Sequence, residues 1–138
     1  MKPREIYQHQ RAAEWTRVDM LIALYDAEID CLKRCQQAYL EHDTVAWKRE
    51  ALYAERIVVE LLAGLDLNFG EIPARLQDLY LFVLNGIATG GKQGLDSSIK
   101  VLTELRDAFQ AIRLEAIALE QSGEISPAES VRMIDSLA

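Results

Sequence analysis

Apolar residues recur at three- and four-residue intervals along most of this chain, and the pattern breaks at only a few places. At 100° per residue, Met20, Leu24, Cys31, Cys35 and Ala38 share one face of a first helix, flanked by Leu21, Leu32 and Tyr39. Thr16 reads as its N-cap, with Asp19 three residues on, and the polar break Glu41-His42-Asp43 ends it after about Leu40. Asp43 then caps a second helix, whose inner face is Trp47, Ala51, Ala54, Val58, Leu61, Leu62 and Leu65. Between Thr16 and Asp66 there is no proline, and the only glycine, Gly64, falls in the closing turn. An interior proline would cost about 3 kcal/mol, so its absence suits two long helices.

Asp66-Leu67-Asn68-Phe69-Gly70 is a turn. A third helix is expected from about Ile72 to Thr89, with Pro73 tolerated in its first turn and Ile72, Leu76, Leu79, Tyr80, Val83 and Ile87 inward. Gly90-Gly91-Lys92-Gln93-Gly94 reads as a loop. A fourth helix follows from about Leu95 to Gln121, with Ile99, Leu102, Leu105, Phe109, Ile112 and Ala116 inward. Ser122-Gly123 stops it, and Ser126-Pro127-Ala128-Glu129 opens a short helix carrying Val131, Ile134 and Leu137 on one stripe. The expectation is an all-α fold: residues 1–15 as an N-terminal arm, 16–121 as an antiparallel up-down four-helix bundle, and 122–138 as a C-terminal appendage helix.

Composition narrows the partners. The chain has 138 residues, half of them hydrophobic, and a net charge of −7. Nearly all of that excess lies in residues 51–138, where 7 basic residues face 13 acidic ones. Nucleic acids and anionic membranes require clustered cations, so neither is expected as a partner. No apolar run approaches the roughly 20 residues that span a bilayer, so no membrane insertion is expected. The start, Met1-Lys2-Pro3-Arg4-Glu5, lacks the apolar stretch of a signal peptide. Two cysteines four apart in one helical pattern make no disulfide framework and fit a reducing, cytoplasmic setting.

Candidate chemistry is sparse. Cys31, Cys35 and His42 project to one side of the first helix if it runs on through residue 42, which invites a metal-site reading. Cys31 and His42 would then be about 16 Å apart, far beyond the reach of one zinc ion, so the cysteines read as core. A phosphotransfer module needs an exposed histidine in mid-helix, and His42 sits at a helix end beside Asp43. Glu28, Glu60 and Glu104 lack the Glu-x-x-His pairs of di-iron bundles, and Asp26, Glu28 and Asp30 alternate around their helix without forming a dyad. No nucleophile–base pair or phosphate-cradling glycine motif is present, because no strand precedes the glycine stretch. No enzyme activity, metal or cofactor is expected.

The informative excess is apolar. Outside the core stripes lie Ile22 and Ile29 on the first helix, Leu52 and Val59 on the second, and Leu81 and Leu84 on the third. A seven-residue spacing holds nearly one direction, so such pairs form second stripes. They read either as scattered surface hydrophobes and lateral packing, or as grooves for amphipathic partner helices.

The order of signals also resembles the flagellin-export chaperones of bacteria (FliS type). The pieces are Tyr7 in the arm, Leu24-Tyr25-Asp26, the end of the second helix from Glu60-Leu61-Leu62 to Leu65-Asp66, Leu76-Gln77-Asp78-Leu79-Tyr80, and Glu104-Leu105-Arg106-Asp107-Ala108-Phe109. They cover roughly residues 7 to 112 in the family's order and spacing. Glu14-Trp15-Thr16-Arg17 stands where members have Thr-Ala-Ser-Pro, the glycine stretch replaces a more polar turn, and the helix at 127–137 is additional. The resemblance implies a cytoplasmic chaperone that binds the disordered C-terminal segment of flagellin, prevents premature polymerisation and delivers the subunit to the flagellar type III export apparatus. The partner-binding residues expected on the combined reading are Ile6, Tyr7, Ile22, Tyr25, Ile29, Leu52, Val59, Leu81 and Leu84. The alternative is a structural or regulatory helical-bundle adaptor, such as a phosphotransfer-like module, serving another partner. The two apolar-bearing ends, around Ile6 and Tyr7 and around Val131, Ile134 and Leu137, are candidates to cover a groove until a partner arrives.

Overall fold

The computed structural model describes residues 3–123 and 129, with side chains from residue 18 onward except at 120. Four helices account for nearly all of that span: α1 (Pro3–Leu40), α2 (Thr44–Ala63), α3 (Glu71–Thr89) and α4 (Gly91–Ser122). Each packs on the next in sequence, and α4 closes the ring against α1. The short connections force antiparallel neighbours, and the result is the all-helical up-down bundle expected from the apolar pattern.

The turns are built by local chemistry. His42 takes a left-handed conformation (φ 57°) at the end of α1, and the Asp43 amide bonds back to the Ala38 carbonyl at 2.9 Å. Asp43 then caps α2 by accepting from the Ala46 amide at 3.1 Å. Asp66 caps a single 3₁₀ turn, Leu67–Phe69, by accepting from the Asn68 amide. Gly70, at φ +94°, leads into α3 through a conformation that other residues rarely adopt.

Two boundaries differ from the sequence reading. The helix expected to start at Thr16 runs back without a break to Pro3, so Thr16 is an interior position rather than a cap. Nothing between Pro3 and Leu40 breaks a helix, and Pro3 stands in the first turn, where its missing amide costs nothing. The glycine stretch is not a loop: α4 begins at Gly91, and only Gly90 separates it from α3. The reason is close approach. A Cβ added at Gly94 would lie 2.3 Å from the Gly86 carbonyl oxygen, and one at Gly90 would lie 2.6 Å from the Gly94 Cα. Gly86, Gly90 and Gly94 thus let the two backbones touch, and the Ser98 hydroxyl continues the seam towards the Val83 carbonyl. Of the helix expected at 127–137, only Glu129 lies among the described residues.

The core joins all four helices around Tyr25, Leu32, Val58, Tyr80, Val83, Leu95 and Leu102. Tyr25 and Tyr80 meet across it, hydroxyl to hydroxyl at 2.5 Å, and Phe109 packs 5.8 Å from the Tyr25 ring centroid. At 38 and 32 residues, α1 and α4 are much longer than α2 and α3. They therefore continue past their partners, and a second cluster of Val18 and Ala116 with Ile22, Ile112 and Ile117 holds that extension. Ion pairs along the same seam, Arg106–Asp26 and Arg113–Asp19, fix the register of α1 on α4.

Candidate functional site

The groove between α1 and α2 and the outward side of α2 both carry apolar surface that the bundle leaves uncovered, as do Leu67, Phe69 and Leu114 elsewhere. On the flank towards α1, Met20, Leu21 and Leu24 face Leu61 and Leu65 across an open groove of about 340 Å³, with Tyr80 in its floor. Gly64 lines the same groove. The groove continues along the helix pair into a more polar stretch of about 470 Å³ bounded by Tyr53, Arg56, Arg34 and Asp30, with Glu60 lining both parts. Away from that groove, Leu52 and Val59 of α2 are 50% and 55% exposed, and Leu81 of α3 is 47% exposed. By helical phase Leu52 and Val59 stand nearly opposite the buried Ala54, Val58 and Leu61, on the outward side of α2. Leu84 is half-buried against the core.

The remaining expected residues fall elsewhere. Ile29 is only 2% exposed, and Tyr25 is fully buried. Both belong to the core, which corrects the expectation that they present themselves to a partner. Ile22 is half-buried, packed against both apolar clusters. The physical reason is α4, which lies along the flank of α1 that the Ile22–Ile29 stripe occupies, so that stripe is lateral packing. Ile6 and Tyr7 fall where side chains are outside the described residues. Two residues assigned inward prove exposed, Met20 at the rim of the α1–α2 groove and Ile72 in the first turn of α3. Val45, Tyr53 and Phe82 are exposed apolar residues that the sequence reading did not single out. Val45 carried a signal, since it continues the Leu52–Val59 spacing by seven residues.

The electrostatics of the interior are unusual at one point. Glu28 has no exposed surface, and neither carboxyl oxygen has a hydrogen-bonding partner among the described residues. Burial raises its pKa from 4.5 to about 8, because the charged form loses its hydration without compensation. The signal was legible, since Glu28 is seven residues from both Leu21 and Cys35 and so shares their face. The cysteine thiols point into the α1–α2 packing: Cys31 towards the Glu50 carbonyl at 3.1 Å and Cys35 towards the Trp47 carbonyl at 3.6 Å. Burial pushes them up to about 12 and about 11, so both are protonated and poor nucleophiles at neutral pH. Burial likewise raises both buried tyrosines, Tyr80 to about 12 and Tyr25 further. Among the described residues no group of three or more His, Cys, Asp or Glu side chains could hold a metal ion, and no helix is long and apolar enough to cross a membrane.

Such a surface can bind through apolar contact and flanking charge. A family model described as flagellar protein FliS matches residues 1–116, which takes in α1, α2, α3 and most of α4. Neither a curated protein nor a solved structure matches the chain.

Proposed function

The chain belongs to the family of flagellar protein FliS, and on that premise we propose that it is a cytosolic chaperone of flagellar type III export. Its client is the disordered C-terminal segment of flagellin, which it holds in helical form until delivery to the export apparatus. The observation that carries this reading is uncovered apolar surface beside α2: the groove between α1 and α2, and the exposed Leu52 and Val59 of α2 with Leu81 of α3. A lone monomer gains nothing from leaving such surface in water. A segment that is disordered when free can lay an amphipathic helix along that surface, and apolar burial then offsets the cost of ordering it. Capturing that segment would block polymerisation, because flagellin's end would be occupied before it could pack against another subunit.

The direct test is a seeded polymerisation assay with purified flagellin. Adding the protein up to an equimolar amount should suppress filament growth in proportion to the amount added, and Val59→Glu should suppress it less. Growth that continues unchanged at a twofold excess of the wild-type protein would defeat the chaperone reading.

A further inference from the structure

The outward face of α2 combines apolar residues with cations in a protein whose overall charge is −7. Val45, Leu52 and Val59 stand seven residues apart and are 77%, 50% and 55% exposed. Lys48, Arg49 and Arg56 lie among them, all exposed, and none forms an ion pair among the described residues. The helix's carboxylates are placed differently. Glu50 is engaged with Arg34 at 3.3 Å and Glu55 is half-buried, while the exposed Glu60 lines the α1–α2 groove, which Arg56 also borders. The face is thus locally basic, against the sign of the molecule.

We infer that this face docks an acidic amphipathic helix, its apolar stripe repeating every seven residues to meet Val45, Leu52 and Val59 and its flanking carboxylates meeting Lys48, Arg49 and Arg56. The spacing selects a helix. Seven residues rise about 10.5 Å, so a partner helix with the same repeat meets each apolar residue in turn at a shallow crossing angle. The charge selects an acidic one, because like charges at the rim are repelled and opposite charges speed and orient docking. The inference rests on the chaperone reading for the source of the helix, the client's docking segment, and adds the charge that segment must carry.

The test uses two synthetic 21-residue peptides with identical leucine heptads, one flanked by glutamates and the other by lysines, alongside a C-terminal flagellin peptide. Binding to the full chain is followed by fluorescence anisotropy at low and high salt. The glutamate peptide should bind at least about tenfold more tightly than the lysine peptide, with the gap closing at high salt. Lys48→Glu, Arg49→Glu and Arg56→Glu combined should invert that preference and weaken flagellin-peptide binding. The three positions are exposed, so the thermal midpoint should stay near that of wild type. Equal binding of the two peptides, or a preference unchanged in the triple variant, overturns the inference. Binding of the glutamate peptide only to a chain ended at Ser122 also overturns it, by making the chain's own C-terminal segment the occupant. A flagellin peptide that binds wild type and triple variant alike overturns the inference and leaves the chaperone reading intact. No flagellin binding, with the peptide preference present and inverted in the triple variant, defeats the chaperone reading and upholds the acidic-helix face.

Discussion

Replacing Glu28 with glutamine should flatten the pH dependence of the bundle's stability. In the unfolded chain Glu28 titrates near its ordinary value of 4.5, and in the fold burial holds it protonated up to about 8. Folding therefore takes up a proton between those two values. The sign follows from linkage: a group whose folded pKa is raised contributes least cost below pH 4.5, and stability is lost as pH rises through the window towards 8. One proton corresponds to about 1.4 kcal/mol per pH unit, so raising the pH from 5 to 7.5 removes on the order of 3 kcal/mol through Glu28 alone. That is a sizeable fraction of the 5–15 kcal/mol a domain typically has. Glutamine keeps the shape and cannot titrate, so its own unpaired amide costs the same at every pH. The assay is urea unfolding of both proteins at pH 5, 6 and 7.5, followed by far-ultraviolet circular dichroism. Wild type should lose about 3 kcal/mol more than Glu28→Gln across that range. Curves for the two proteins that run parallel within about 0.5 kcal/mol would refute the placement of an unpartnered carboxyl in the core.

Three further outcomes test the packing and the surface. Leu61→Ala should cost about 2–5 kcal/mol in urea unfolding, since Leu61 is buried in the main core, while the half-buried Leu105→Ala should cost less; less than about 1 kcal/mol for both would mean the core faces are misassigned. Gly94→Ala should destabilise by at least about 2 kcal/mol, because its Cβ would collide with the backbone of α3 and no side chain can move aside. An unchanged thermal midpoint for that variant would contradict the close crossing of α3 and α4. Val59→Glu should leave the midpoint within a few degrees of wild type and weaken flagellin-peptide binding several-fold, because a charge is cheap in water and costly when a partner covers it; a large loss of stability would show that Val59 is core.

How much of this was legible in the sequence differs from element to element. The four helices and their order followed from apolar periodicity, because a stripe repeating every three to four residues has one stable solution in water. Core positions such as Ala54, Val58, Leu76, Val83 and Leu102 followed for the same reason. Periodicity reports direction around one helix and says nothing about which neighbour lies there. Ile22 and Ile29 can therefore be read as a partner groove or as lateral packing, and only the position of α4 decides for packing, while Met20 reads as inward although it rims an open groove. The glycine stretch was misread because glycine marks both turns and close backbone approach. Only the third dimension, with Gly86 facing Gly94, separates the two. Of the candidate site, Leu52, Val59 and Leu81 are exposed, while the open groove between α1 and α2 was not legible in the sequence.

The central claim is that this bundle folds a disordered flagellin segment on its surface, and circular dichroism of the mixture tests it most directly. A C-terminal flagellin peptide and the protein, each measured alone and then combined at equimolar concentration, should together show more helix than the sum of their separate spectra. The excess should shrink with Val59→Glu and should persist with an exposed substitution on the far side of the bundle. A combined spectrum equal to the sum, at concentrations well above micromolar, would contradict the account.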